Sequence, residues 1–155
     1  MAPRLDGQAS ARRRSHLVPN CLECHTGWVN REIAPASIAP TAANYAHAIV
    51  SESTQRWLHT SGIVPIAPDG SVPTSIAEQA QTVWANLTAI LAEAGMSPRD
   101  VVSVTTYVMN GQPLAPVMAA RDSALGGHRV ASTLVTVPAL ARPEWLMEIA
   151  LVAAH

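Results

Sequence analysis

Apolar residues recur with a helical period between Ser75 and Ala94, where Ile76, Ala80, Val83, Leu87, Ile90 and Leu91 fall on one face. Ser75 precedes the stretch with Glu78 three residues on, the spacing of a capping box. Gly95 stands where a left-handed residue closes a helix. The pattern predicts a helix over 75–94. Val101 to Met109 is rich in β-branched residues and bounded by Asp100 and Asn110-Gly111, which predicts a strand. A second helix, with a weaker period, is expected from Pro113 to Leu125, followed by strands at Ala131–Val137 and Leu146–Ala153. Upstream, Trp57 to Ser61 reads as a strand ending at Gly62. Pro65, Pro68, Asp69, Gly70 and Pro73 then mark a turn-rich loop. The order is hairpin, helix, strand, helix, two strands, an α+β sheet with two helices packed on one face.

Composition narrows the class. At 155 residues with 48% hydrophobic and 14% charged side chains, the chain can bury a real core, and wholesale disorder is excluded. No apolar run approaches the roughly 20 residues of a membrane-spanning helix, so no membrane partner is expected. The net charge of −1 and the absence of lysine give no global field for nucleic acid, and no nucleic-acid partner is expected either. The amino end lacks the charged-then-apolar order of a secretory signal, which points to the cytoplasm. Low charge with abundant Ala, Val, Leu and Ile suggests apolar surface covered by a partner subunit.

The composition shifts near residue 31. Residues 1–30 hold four of the ten basic side chains, three of them adjacent at Arg12-Arg13-Arg14, and show no sustained apolar period. They are read as an N-terminal extension ahead of a folded domain at 31–155. The extension is either a genuine appendage or sequence lying ahead of a true start near Val29. Within it, Cys21-Leu22-Glu23-Cys24-His25 matches the pattern of c-type haem attachment. The surroundings argue against haem: no export signal precedes the motif, and little apolar sequence is available to wrap a porphyrin. Zinc ligation completed by His16 or a symmetry mate, a disulfide, and no function at all are the other readings. No cofactor and no metal are assigned to the chain.

Several motifs carry a resemblance. Tyr45-Ala46-His47-Ala48-Ile49-Val50 is followed by Ser61-Gly62-Ile63-Val64-Pro65. Gln79, Asn86 and Gly95 come next along the helix, then Asp100-Val101-Val102 and Met147-Glu148-Ile149. In order and spacing this resembles the Rid family, the reactive intermediate deaminases also called YjgF-like, over about residues 31–154. The resemblance implies a chorismate-mutase-like α+β subunit in a homotrimer with pockets at the subunit interfaces. It also implies hydrolysis of reactive imines and enamines to a carbonyl compound and ammonia.

That chemistry needs a water aimed at the C=N carbon and deprotonated as it attacks, a proton for the departing nitrogen, and a held substrate. By resemblance Glu148 is the catalytic residue that orients and activates the water, and partial desolvation at an interface would suit a general base. The plainer reading is a surface glutamate in a salt bridge. Tyr45, Ser61, Gly62, Met118, Arg129, Ser132 and Thr133 are the expected substrate-binding residues. Tyr45 would stack on a planar substrate or donate its hydroxyl; otherwise it is a packed aromatic. His47 and His59 read as packing or surface residues, and Trp57, Trp84 and Trp145 as core or interface fillers.

The departures from the family pattern bear on specificity. In the deaminase branch an arginine precedes the penultimate strand and clamps the substrate carboxylate. Here Ser132 stands in its place within Val130-Ala131-Ser132-Thr133. A neutral hydrogen bond is worth about 1 kcal/mol against roughly 2–3 kcal/mol for a charge-assisted one, so carboxylate affinity should fall tenfold or more. Arg129, three residues earlier, faces the other side of an extended chain but could reach the pocket from a loop. Ile63, Met118 and Leu134 replace polar residues of the deaminase branch and make the pocket more apolar.

The leading expectation is therefore a Rid-like hydrolase of a reactive imine or enamine other than a simple amino-acid imine. Its alternative is a non-catalytic trimeric scaffold for a small ligand or partner protein. A ribonuclease label attaches to some family members, but the absent lysine and the lack of aromatic–basic interleaving speak against it here.

Overall fold

A computed structural model describes residues 29–155. The haem-like Cys21/Cys24/His25 motif and nearly all of the N-terminal extension lie outside the described residues. The elements follow the expected order: β1 (Val29–Ile33), β2 (Ala48–Glu52), β3 (Trp57–His59), α1 (Ile76–Glu93), β4 (Val101–Met109), α2 (Leu114–Leu125), β5 (Ala131–Val137) and β6 (Met147–Ala154). The antiparallel β1–β2 pair starts at Val29, two residues ahead of the composition shift.

The main sheet has the order β3-β6-β4-β5. Its β4 and β5 run parallel, joined by α2, whereas β4–β6 and β3–β6 are antiparallel. A parallel pair needs a crossover connection, and α2 supplies it. Ala46 bridges to Ala131, which brings the segment before β2 alongside the start of β5.

α1 begins where Ser75 accepts a hydrogen bond from the Glu78 N–H and donates its hydroxyl to the Glu78 carboxylate at 2.7 Å. It ends in a Schellman turn: Gly95 adopts φ +65°, and the Met96 N–H returns to the Leu91 carbonyl at 2.8 Å. The apolar stripe of α1 and the inward residues of β4 and β6 form one core, with Val83, Leu87, Val108, Met147 and Ile149 wholly buried. The β4 side chains alternate strictly from Ser103 onward, and the even-numbered ones lie under the helices. The opposite face carries no helix. Trp84 fills the core, but Trp57 is 53% exposed and is no core filler.

Candidate functional site

β6 points Met147, Ile149 and Leu151 into the core and Glu148 onto the helix-free face, opposite Tyr107 of β4. Beside β6 the β3 ladder loses register. His59 pairs with Val152 and Ile63 with Ile149, so the β3 side takes four steps where β6 takes three. The extra residue is absorbed at Thr60–Gly62 as in a β-bulge. Thr60 bridges the gap: its N–H donates to the Leu151 carbonyl, and its hydroxyl accepts from the Leu151 N–H, both at 3.0 Å. Past Thr60, the N–H groups of Ser61 and Gly62 donate to nothing among the described residues.

The Glu148 side chain lies directly over Gly62. A β-carbon at position 62 would sit 2.8 Å from Glu148 Cγ and overlap the carboxylate itself. Gly62 does not have a left-handed φ, so the requirement for glycine here is purely one of space. Among the described residues the carboxylate accepts no hydrogen bond and forms no ion pair. The salt-bridge reading of Glu148 therefore finds no partner among these residues.

α1 holds both sides of this pair. The fully buried Gln79 donates to the carbonyls of Pro73 (2.7 Å) and Glu144 (2.8 Å) and accepts from the Leu146 N–H (2.8 Å). It thereby fixes the chain two residues before Glu148. Two turns further along the helix, Asn86 donates to the Ile66 carbonyl at 2.9 Å and fixes the loop that follows Gly62. A buried amide with all three hydrogen bonds made is a rigid fastening, because breaking any one leaves a desolvated polar group.

A second polar cluster lies at the start of β5. Arg121 of α2 is 7% exposed. Its Nη1 donates to Ser132 Oγ (3.2 Å) and its Nη2 to the Asn44 carbonyl (3.0 Å), while Nε and Nη2 both reach Asp122 Oδ1 (2.9 and 2.8 Å). Arg129 pairs with Glu32 at 3.0 Å and donates to Thr41 Oγ1 and the Tyr45 carbonyl. The Tyr45 hydroxyl accepts weakly from the Ala42 N–H at 3.4 Å, and its ring meets His47 edge-on at 6.4 Å. Met118 is half-buried on α2, just short of a turn before Arg121.

The sequence reading did not single out Arg121. A signal was present: Val117, Arg121 and Leu125 are spaced by four on the buried stripe of α2, and a charge on such a stripe needs a reason.

The expected site residues thus fall into separate groups. Ser61, Gly62 and Glu148 come together. Tyr45, Arg129 and Ser132 gather around the start of β5. Ser132 is level with the core residue Val104 and faces the helices, whereas Glu148 is level with Tyr107 on the other face, two strands away. Thr133 shares the helix-free face with Glu148. One chain alone does not bring Ser132 to Glu148. A groove of about 580 Å³ between α1 and α2, lined by Ala77, Trp84, Ala119 and Ala124, holds none of the expected site residues. One of about 320 Å³ beside the 34–41 loop includes only Arg129 among them.

This mixed sheet with two helices on one face defines an α+β class shared with solved structures. The Yersinia pestis protein YyfB, described as of the conserved Rid protein family and of unknown function, superposes with a TM-score of 0.73 at 34% identity, covering 81% of this chain and 98% of that one. Residues 36–155 match the family described as endoribonuclease L-PSP. The chain therefore belongs to that family, the Rid or YjgF-like family indicated by its motifs. Curated relatives include a RutC family protein of Haemophilus influenzae, 34% identical over 61% of this chain and 68% of its own length. The 2-iminobutanoate/2-iminopropanoate deaminase of Escherichia coli K12 is 32% identical over 63% of this chain and 71% of its own length.

Proposed function

We propose that this chain hydrolyses a reactive imine or enamine other than a simple amino-acid imine, using a water activated by Glu148. The observation that carries the reading is the Glu148 carboxylate, unpartnered among the described residues and seated over Gly62 beside two undonated backbone N–H groups. Glu148 takes a proton from the water as its oxygen bonds to the C=N carbon, and the electron pair of the C=N bond goes to nitrogen. The proton held by Glu148 then passes to that nitrogen, giving a carbinolamine. Glu148 next carries the hydroxyl proton to the nitrogen, the oxygen's electron pair forms the C=O bond as the C–N bond breaks, and ammonia leaves with a carbonyl compound behind it. The N–H groups of Ser61 and Gly62 are suited to hold an oxygen or nitrogen of the substrate. The deaminase name of the Escherichia coli relative supports the same chemistry.

The pocket is completed by a neighbouring copy in a homotrimer. The separation of Ser132 from Glu148 favours this, since a substrate touching both must bridge two chains. The exposed Trp57 and Val135 on the helix-free face would gain a cover in such an assembly. The endoribonuclease label of the family is the weaker reading. Arg31, Arg121, Arg129 and Arg142 are all paired with acids, which leaves no basic stripe among them.

The test is ammonia release from an imine generated in place, comparing the wild type with Glu148→Gln. Loss of at least about a hundredfold in rate is expected for removal of a general base. An unchanged rate would turn the reading toward the ligand-binding scaffold, which Ser132 in place of an arginine also favours.

A further inference from the structure

The cluster around Ser132 contains two guanidinium groups and would be expected to attract anions, yet both charges are already answered. Arg121 spends Nε and one Nη2 hydrogen on Asp122, the other Nη2 hydrogen on the Asn44 carbonyl, and one Nη1 hydrogen on Ser132. Of its five donors one remains. Arg129 is held at 3.0 Å by Glu32. Two cations and two carboxylates within one cluster leave no net positive charge for a ligand carboxylate. Bringing that carboxylate out of water would then go uncompensated.

Ser132 itself is committed in one direction only. Its oxygen accepts from Arg121 Nη1 at 3.2 Å, and its hydroxyl proton has no acceptor among the described residues. With a buried cation bonded to its lone pair, the hydroxyl is polarised and oriented as a donor. A donor without net charge around it fits a neutral acceptor.

We infer that Arg121 sets Ser132 as a hydrogen-bond donor for a neutral carbonyl or carboxamide oxygen of the substrate, and that Asp122 masks the Arg121 charge against carboxylates. The inference deepens the hydrolase reading by naming the group next to the reacting carbon, and it rests on that reading for the identity of the ligand. Arg121 and Asp122 are positioning residues; Ser132 is the one that touches the substrate.

The test is an equilibrium comparison of two isosteric product analogues, pyruvamide and pyruvate, titrated calorimetrically into the full-length protein. Affinity is read without turnover, so a failure of hydrolysis leaves this result standing, and a failure here leaves the Glu148 assay standing. The wild type should bind pyruvamide at least about threefold tighter, and Ser132→Ala should remove that advantage. Asp122→Asn should shift the ratio at least about threefold toward pyruvate by unmasking Arg121. A purely structural cluster would weaken both ligands together. Tighter pyruvate binding by the wild type, an unchanged ratio in Ser132→Ala, or no saturable binding of either ligand would overturn the inference. If Asp122→Asn fails to fold, Ser132→Ala decides alone, since that change removes a single hydroxyl.

Discussion

The Glu148 carboxylate fills the space that a β-carbon on Gly62 would need. Neither residue is strained by its own backbone, and the two are fastened from one helix, Gln79 at 2.8 Å from the Leu146 N–H and Asn86 at 2.9 Å from the Ile66 carbonyl. Carboxylate and backbone donors are therefore set by the same rigid element.

Gly62→Ala should fold and yet lose activity. The closest colliding atoms, Oε1 and the carboxyl carbon, are at the flexible end of Glu148, so the side chain can swing aside at a cost of about 1–3 kcal/mol. A carboxylate displaced by an ångström or more should lose about tenfold to a hundredfold in rate. Urea denaturation confirms that the variant is folded, and unchanged steady-state turnover of the folded variant would argue against the steric link.

Gln79→Leu should destabilise the fold by about 3 kcal/mol, because the Leu146 N–H and the carbonyls of Pro73 and Glu144 all lose their partner. Chemical denaturation measures this directly. A loss below about 1 kcal/mol would mean that these groups find other partners.

Arg129→Gln should loosen the 34–45 segment, since Arg129 ties Glu32, Thr41 and Tyr45 together. Hydrogen exchange should rise across that segment. Unchanged exchange across that segment would mean that other contacts hold it.

Asp100 gives the fold an acid limit. Burial alone would raise its pKa, but hydrogen bonds from the Ser97 N–H, His155 and the Ser97 hydroxyl, with the His155 charge, together hold it below the ordinary value of 3.8. A lowered folded pKa means that the unfolded chain binds the proton first. Asp100 therefore contributes stability above about pH 3.8, and that contribution is lost as pH falls through the lower folded value. Asp100→Asn should flatten the fall in stability across this acid range, as read from urea midpoints at stepped pH.

Much of this architecture is legible in the sequence. The helix α1 is fixed by Ser75, by its apolar period and by Gly95, all local signals, and β4 and β5 fall where β-branched runs end at turns. What the sequence hides is pairing. Nothing local says that β4 and β5 run parallel or that the β3–β6 ladder carries an extra residue at Thr60–Gly62. Those depend on contacts between distant segments. The family motifs drew Ser61, Gly62 and Glu148 to attention, and the fold brings them together. The same motifs grouped Ser132 with them, but strand alternation sends it to the opposite face. Arg121 escaped notice because its role depends on a partner eleven residues away on another element.

Under the proposed function, Glu148 hydrolyses an imine in a pocket without a free cation for a carboxylate. The most direct test is a paired assay of two imines generated in place, one bearing an α-carboxylate and one without it, with the wild type and Glu148→Gln. Faster hydrolysis of the carboxylate-free imine, lost in Glu148→Gln, is expected. Acceleration of only the carboxylate-bearing imine, or a rate indifferent to Glu148→Gln, would contradict it.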